Sequence, residues 1–358
     1  MTLVFDHLTL GQRVLFGTGR AAENLATEVQ RLGARKVMVI ASGSEAAMAD
    51  AVCAGIEPAL RWDEVVMHVP VEVAERARSA AAQHRIDLLV SVGGGSTTGL
   101  AKAVALTTGI PIVAVPTTYA GSEATNVWGL TESARKTTGV DDRVLPVTVI
   151  YDASLTLSLP TDLSVASGLN GMAHCIDSLW APRADPINAA LAAEGIRALS
   201  RGLPLVKAEP ENFGGREQAL YGAYLSAVAF ASAGSGMHHK ICHVLGGTFN
   251  LPHAQTHATV LPYVLAFNAP AAPEAETRAA AAFGAGNALD GLNGLRDTLD
   301  APRALADYGF RKEDIPEVVR IALPAIPASN PRKVTAGNLS TVLAAATTGD
   351  DPKTLTDL

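Results

Sequence analysis

Short apolar runs alternate with longer stretches of helical spacing through the first 150 residues. Arg13–Phe16 reads as a short strand running into Gly17-Thr18-Gly19, and Ala21–Leu32 carries apolar residues at helical spacing and stops at Gly33, a favourable C-cap. Lys36–Ala41 (KVMVIA) is apolar enough to be a strand covered on both faces. A helix is predicted around Glu45–Ile56, a strand at Glu64–Val69 and a helix at Val71–His84. Asp87–Val92 (DLLVSV) is a strand leading into Gly93-Gly94-Gly95-Ser96; Thr97–Thr107 is helical, and Pro111–Val115 and Val147–Tyr151 are further strands. Such a strand–helix rhythm specifies a parallel sheet covered by helices.

The texture changes after Tyr151. Asp152–Leu358 consists of Ala-rich helical stretches broken by Pro and Gly, with no convincing strand. The boundary is placed at Leu159-Pro160, giving an α/β Rossmann-like parallel-sheet domain over 1–159 and an all-helical domain over 160–358. A length of 358 residues suits two domains, and 48% apolar content suffices for full cores. The formal net charge of −7, without a basic run, excludes a typical nucleic-acid binder. Cys53, Cys175 and Cys242 form neither a CxxC pair nor an even set, which argues against a disulfide framework and a thiolate zinc site. The segment MTLVFDHLTL lacks a basic stretch followed by a long apolar one, and no transmembrane run occurs, so a soluble cytoplasmic protein is expected.

Two loops carry candidate ligand chemistry. In Val90–Ser96 a strand meets three glycines and a hydroxyl at a helix start, where free N–H groups and the positive end of the helix dipole suit a pyrophosphate. Pro116-Thr117-Thr118-Tyr119-Ala120-Gly121-Ser122-Glu123 follows the next strand at the same edge of the sheet, and its hydroxyls suit ribose and amide contacts. Each loop alone is equally readable as an ordinary turn. At the end of the second strand, Ala41-Ser42-Gly43-Ser44 holds no carboxylate to reject a 2′-phosphate, so NADH and NADPH are both expected to be accepted.

Histidines supply the third feature. Asn170 and His174 are four apart and share a helix face; His239 and His243 repeat that spacing, and His253 follows a Gly-Gly turn. These elements can point imidazoles into one cleft. His238 and His257 are read as lying on other faces, His7, His68 and His84 as ordinary, and Cys175 and Cys242 as small packing residues.

Taken in order, Gly93-Gly94-Gly95-Ser96…Ala101-Lys102, Pro116-Thr117-Thr118…Gly121-Ser122-Glu123, Gly168–His174 and His239-xxx-His243…Pro252-His253 resemble the successive motifs of the iron-containing alcohol dehydrogenases, within the dehydroquinate synthase-like fold. The resemblance spans almost the whole chain. It implies an N-terminal nucleotide domain, a C-terminal helical domain and an active site in the cleft between them. It also implies cofactor contacts from Gly94, Gly95, Ser96, Thr117, Thr118, Ser122, Lys136 and Leu163. The family's metal ligands, one Asp and three His, fall on Asn170, His174, His239 and His253, so the carboxylate has become a neutral amide, a weaker ligand. The usual Asp three residues after the loop serine is Gly99. Gly94–Lys102, Trp128–Glu132, Arg143-Val144-Leu145-Pro146 and Ile150-Tyr151-Asp152 look like the maleylacetate reductase branch, which is generally regarded as working without a metal.

That branch implies NADH-dependent, or NADPH-dependent, reduction of the C=C bond of maleylacetate to 3-oxoadipate, with no metal expected. Hydride adds to the carbon β to the ketone, and an enolate forms that N–H donors must stabilise. The catalytic candidates are Asn170, His174, His239, His243 and His253, with His243 or His253 donating to the enolate and one of them, or a relayed water, supplying the proton. Tyr119, Lys240, Lys136 and His253 are candidates for the substrate's carboxylates or the nicotinamide ribose. The expected partner is a small dicarboxylate, with no nucleic acid or membrane, and a homodimer is the default assembly. Two alternatives stay open: a metal-dependent alcohol dehydrogenase of the same superfamily, and a catalytically silent nucleotide-binding protein.

Overall fold

The computed structural model describes residues 4–132 and 135–358, with the side chains of residues 135 and 136 left aside. It divides into two compact units: Leu10–Leu159, and Pro160–Leu358 joined by the lead-in that ends at Thr9. The lead-in is tied to the helical unit by His7, whose Nδ1 lies 2.8 Å from Asp185 Oδ2.

In the first unit six parallel strands form one sheet. They are β1 (Arg13–Phe16), β2 (Val37–Ile40), β3 (Leu60–Trp62), β4 (Leu88–Gly93), β5 (Ile112–Pro116) and β8 (Thr148–Tyr151), in the order β1-β8-β5-β4-β2-β3. Helices α1 (Ala21–Leu32), α2 (Ala46–Val52), α3 (Val71–Gln83) and α4 (Gly95–Thr108) connect them. Side chains alternate across the sheet with period two. Met38, Ile40 and Leu89 pack with the apolar faces of α3 and α4, while Val37, Val39, Leu88 and Val90 pack with α1 and α2. Both faces are covered, which explains the unbroken apolar runs in the central strands.

Two local expectations are corrected. The apolar stretch Glu64–Val69 is not a strand; Leu60–Trp62 takes the free edge of β2 instead, pairing Met38 with Leu60 and Ile40 with Trp62. Nor does the sequence pattern announce the antiparallel pair β6 (Val127–Glu132) and β7 (Arg135–Val140), because its residues are largely polar and half-exposed and so show no buried face. The two corrections share a cause. The carbonyls of His68 and Val69 accept from the Thr131 hydroxyl (2.8 Å) and the Thr131 N–H (3.0 Å), docking β6 on this segment. His68 and Val69 adopt φ values of 66° and 49°, which no strand permits.

The second unit is built from α5 (Thr161–Ser178), α6 (Pro186–Ala208), α7 (Phe213–Ala233), α8 (Met237–Phe249), α9 (His253–Asn268), α10 (Pro273–Phe283), α11 (Ala288–Leu299), α12 (Ile315–Ala322) and α13 (Ala336–Thr348). Helices α6 and α7 pack closely along Ala- and Gly-rich faces, and both contact α5, which is buried for most of its length. Helix α9 packs against α5 and α8, bringing three histidine-bearing helices together. No helix among the described residues is long and apolar enough to cross a membrane.

Lys102 organises the loop edge of the sheet unit. Its ammonium, fully buried in α4, donates to the carbonyls of Ser122 (2.6 Å), Thr125 (2.8 Å) and Val127 (2.8 Å) and to Thr125 Oγ1 (3.1 Å). One side chain thereby bonds three backbone acceptors between β5 and the start of β6. Replacing it by Met of similar length removes these bonds, and of the three carbonyls Ser122 keeps donors in the Thr125 N–H and hydroxyl. Lys102→Met is expected to lower unfolding free energy by about 3 kcal/mol in urea titrations. Unchanged stability would show that the loop does not depend on this ammonium.

Candidate active site

At the carboxyl edge of the sheet unit the helix starts differ in how their N–H groups are satisfied. The turn before α1 is closed internally: Asp152, just beyond β8, accepts from the N–H groups of Gly19 (2.8 Å) and Ala21 (2.9 Å). Helix α4 has Gly94 as N-cap and no side-chain cap, so its first N–H groups have no carboxylate from the chain. This is the geometry that receives an anion. Gly93 reaches it with φ of 152°, which disfavours a side chain, and Gly94 lies against Thr118. Gly94 caps α4, Gly95 and Ser96 open it, and Thr117, Thr118 and Ser122 follow β5, with the Thr117 N–H bonded to the Gly93 carbonyl (3.2 Å). Gly99 replaces the usual Asp at a tight spot: a Cβ there would stand 3.0 Å from Val69 Cγ2.

Other sequence candidates are placed as follows. Tyr119 is fully buried within the sheet unit, Leu163 is exposed in the first turn of α5, and Lys240 is half-buried on α8. The side chain of Lys136, on β7, lies outside the described residues.

The imidazoles gather in the helical unit. His174 on α5 stacks on His239 of α8, with centroids 4.9 Å apart and planes 14° apart, and Phe230 of α7 touches both rings. His257 of α9 lies 4.9 Å from His239 and 4.4 Å from His253, and His243 lies 6.1 Å from His239. His174, His238, His239, His257 and Asn170 are buried, whereas His243 and His253 are exposed. His238 and His257 do not point elsewhere, as the wheel positions suggested: His238 Nε2 and His257 Nδ1 lie 3.0 Å apart in a hydrogen bond. Packing of α8 on α9 decides this, although the recurrence of four-residue spacing from His253 to His257 was a usable signal.

Asp177, which the sequence pattern did not single out, orients this array. It stands one turn beyond His174 on α5 and is buried at the start of α8. Its Oδ2 accepts from the Gly236 N–H (2.8 Å) and from His239 Nδ1 (2.7 Å). Gly236 leaves room for it, since a Cβ there would overlap the carboxylate. With the proton on Nδ1, neutral His239 turns a bare Nε2 lone pair into a buried space where it has no hydrogen-bond partner. His239 thus presents an acceptor to that space.

Burial sets the charge state of the cluster. Desolvation, reinforced by neighbouring imidazoles, holds His174 at about 4 and His238 at about 3, and pushes His239 and His257 well below the ordinary histidine range. Desolvation also raises the Asp177 carboxyl to about 6, opposed by the N–H groups that it accepts from. Between pH 6.5 and about 4 the unfolded chain protonates these four imidazoles while the folded chain does not. The unfolded state then binds more protons, and stability falls as pH falls. Asp177 acts in the opposite sense between about 6 and 3.8, one group against four. Urea titrations below pH 6.5 are expected to lose stability at about 1 kcal/mol per imidazole per pH unit. A flat profile from pH 7 to pH 5 would contradict a neutral buried cluster. Asp177→Asn removes the acceptor that fixes the His239 tautomer. It is expected to cost about 3 kcal/mol and to shift the ring-nitrogen NMR signals of His239; unmoved signals would remove Asp177 from this role.

Comparison with known proteins places this architecture. A family model for iron-containing alcohol dehydrogenase matches residues 11–153, and the C-terminal model of the Fe-containing alcohol dehydrogenase family matches residues 164–347. The chain is 44% identical to the maleylacetate reductase of Sphingobium indicum over 356 residues, covering 99% of this chain and 100% of that one. Among solved structures, maleylacetate reductase from Rhizobium sp. strain MTP-10005 superposes with a TM-score of 0.92 at 42% identity, covering 98% and 99% of the two chains. An iron-containing alcohol dehydrogenase from Corynebacterium glutamicum does so with a TM-score of 0.98 at 66% identity, covering 99% and 100%. An α/β nucleotide-type unit and a helical unit carrying these motifs, matched over nearly the full length, show that the chain is an oxidoreductase that belongs to the iron-containing alcohol dehydrogenase family, on its maleylacetate reductase branch.

Proposed function

We propose that this chain reduces the C=C bond of maleylacetate to 3-oxoadipate with a nicotinamide nucleotide and without a metal ion. The observation that carries the reading is the neutral donor set of the helical unit, found in a chain similar to maleylacetate reductases over nearly its whole length. The family position for an acidic ligand is Asn170, buried, with its Oδ1 unpartnered one turn before His174. An iron ion is implied by the family name; Asn170 Oδ1, His174 Nδ1 and His239 Nε2 are buried without partners, but an amide in place of the acidic ligand weakens the set. Among the described residues the His, Cys, Asp and Glu donor atoms that gather within 4.8 Å of one another are those of His238, Cys242 and His257, not those of His174, His239 and His253. The first set is largely accounted for by the His238–His257 hydrogen bond and the 3.6 Å contact of Cys242 Sγ with His238 Nε2. Asn170 in place of Asp removes the one negative charge that the family's ligand set brings to a divalent cation and so lowers its affinity.

The nucleotide is held by the open start of α4 and the hydroxyls of Thr117, Thr118 and Ser122. When bound, it supplies the hydride. Hydride transfer to the carbon β to the ketone moves the C=C electron pair onto the α-carbon and ketone oxygen as an enolate, and protonation of the α-carbon completes 3-oxoadipate. A buried His239 lone pair repels an enolate oxygen, so donors must come from elsewhere. His243 and His253, the exposed members of the array, serve as donor and acid. Lys240, half-buried on the same helix, offers a cation to a substrate carboxylate. Asn170 in place of Asp spares a dianionic substrate an opposing charge.

Nucleotide absorbance with fresh maleylacetate is expected to fall at a rate unaffected by EDTA, and His243→Ala and His253→Ala are each expected to lower kcat by a factor on the order of 10²–10⁴. A stoichiometric ion whose removal abolishes turnover would overturn the metal-free reading. The relationship to the Corynebacterium glutamicum iron-containing alcohol dehydrogenase supports a second reading, metal-dependent reduction of simple aldehydes. A substrate panel run with and without added Fe²⁺ or Zn²⁺ separates the two.

A further inference from the structure

The carboxylate of Glu45 occupies the nucleotide edge of the sheet unit. It projects from the turn after β2. Its Oε2 accepts from Ser42 Oγ at 2.8 Å, and its Oε1 accepts from Thr117 Oγ1 at 2.9 Å. Ser42 follows β2 and Thr117 follows β5, while between them Gly93 closes β4: a Cβ built on Gly93 would stand 2.6 Å from Glu45 Oε2. One carboxylate is therefore held across the carboxyl ends of the three adjacent strands β5, β4 and β2. Both hydroxyl partners are neutral, so neither offsets its charge.

We propose that Glu45 selects NADH over NADPH. This rests on the nucleotide part of the proposed function and replaces the sequence expectation that both are accepted. In open parallel sheets a dinucleotide lies across the carboxyl ends of the strands, with its adenosine ribose beside the end of the second strand. Residues 41–44 offer no carboxylate there, and the next residue brings one back to the strand end through the Ser42 hydroxyl. The 2′- and 3′-hydroxyls of NADH can replace the Ser42 and Thr117 hydroxyls as donors, one for one, so the carboxylate keeps its hydrogen bonds. A 2′-phosphate has no such proton to give at neutral pH and brings up to two negative charges against the carboxylate.

The test is direct binding of NADH and NADPH to the full-length protein by calorimetry, with no carbonyl substrate present, so the outcome does not depend on the substrate reading. Wild-type protein is expected to bind NADH at least about tenfold more tightly than NADPH. Glu45→Gln keeps the shape and removes the charge, and should narrow that ratio about tenfold, chiefly by strengthening NADPH; Glu45→Arg should reverse it. Glu45 is only partly buried, and matching melting curves confirm that the variants fold. A ratio that is near unity in the wild type, or that does not change along the series Glu, Gln, Arg, overturns the assignment while leaving the nucleotide reading intact. Failure of the wild type to bind either nucleotide overturns both.

Discussion

The hydrogen bond from His239 Nδ1 to the buried Asp177 carboxylate governs the chemistry of the helical unit. Asp177 belongs to α5, His239 to α8, and the same carboxylate accepts the Gly236 N–H where α8 starts. One group thus joins two helices, caps one of them and chooses the tautomer of an imidazole. A carboxylate withdrawn from water survives only when several donors converge on it, and the positive end of α8 supplies them. Everything around it inherits the result. His239 turns a lone pair inward, His174 stacks on its face, and His257 and His253 extend the array along α9.

Such a cluster is electrostatically neutral by construction. Four imidazoles share a space with little water, so each one opposes the protonation of its neighbours, and desolvation opposes all of them. His243 and His253 are the exposed members of the array. The array therefore has a buried neutral part and an exposed margin. An amide at Asn170 fits the same plan, since a carboxylate there would add uncompensated charge to a buried wall.

In the sheet unit the corresponding constraint is the satisfaction of loop backbone. Lys102 spends its ammonium on the acceptors of the loop after β5, and Asp152 closes the turn before α1. The start of α4 has no cap from the chain and remains available to an anion. Glu45 lies across the strand ends beside it and brings a carboxylate to the same edge.

Much of this molecule was legible in one dimension because period and composition are local. Buried strands such as Val37–Ile40 and Leu88–Gly93, the helix Ala21–Leu32 with its left-handed Gly33 cap, and the glycine loop at Gly93–Ser96 all rest on residues next to one another in the chain. Paired histidines at four-residue spacing were visible for the same reason. The polar ribbon of β6 and β7, the choice of Leu60–Trp62 as edge strand, the meeting of His238 with His257, and the partners of Asp177 and Glu45 were not. Each depends on a hydrogen-bonding partner distant in sequence. A buried or strand-end polar group is placed by whichever donor or acceptor the packing brings within reach, and a pattern of apolar positions specifies which faces pack without specifying which polar atoms then meet.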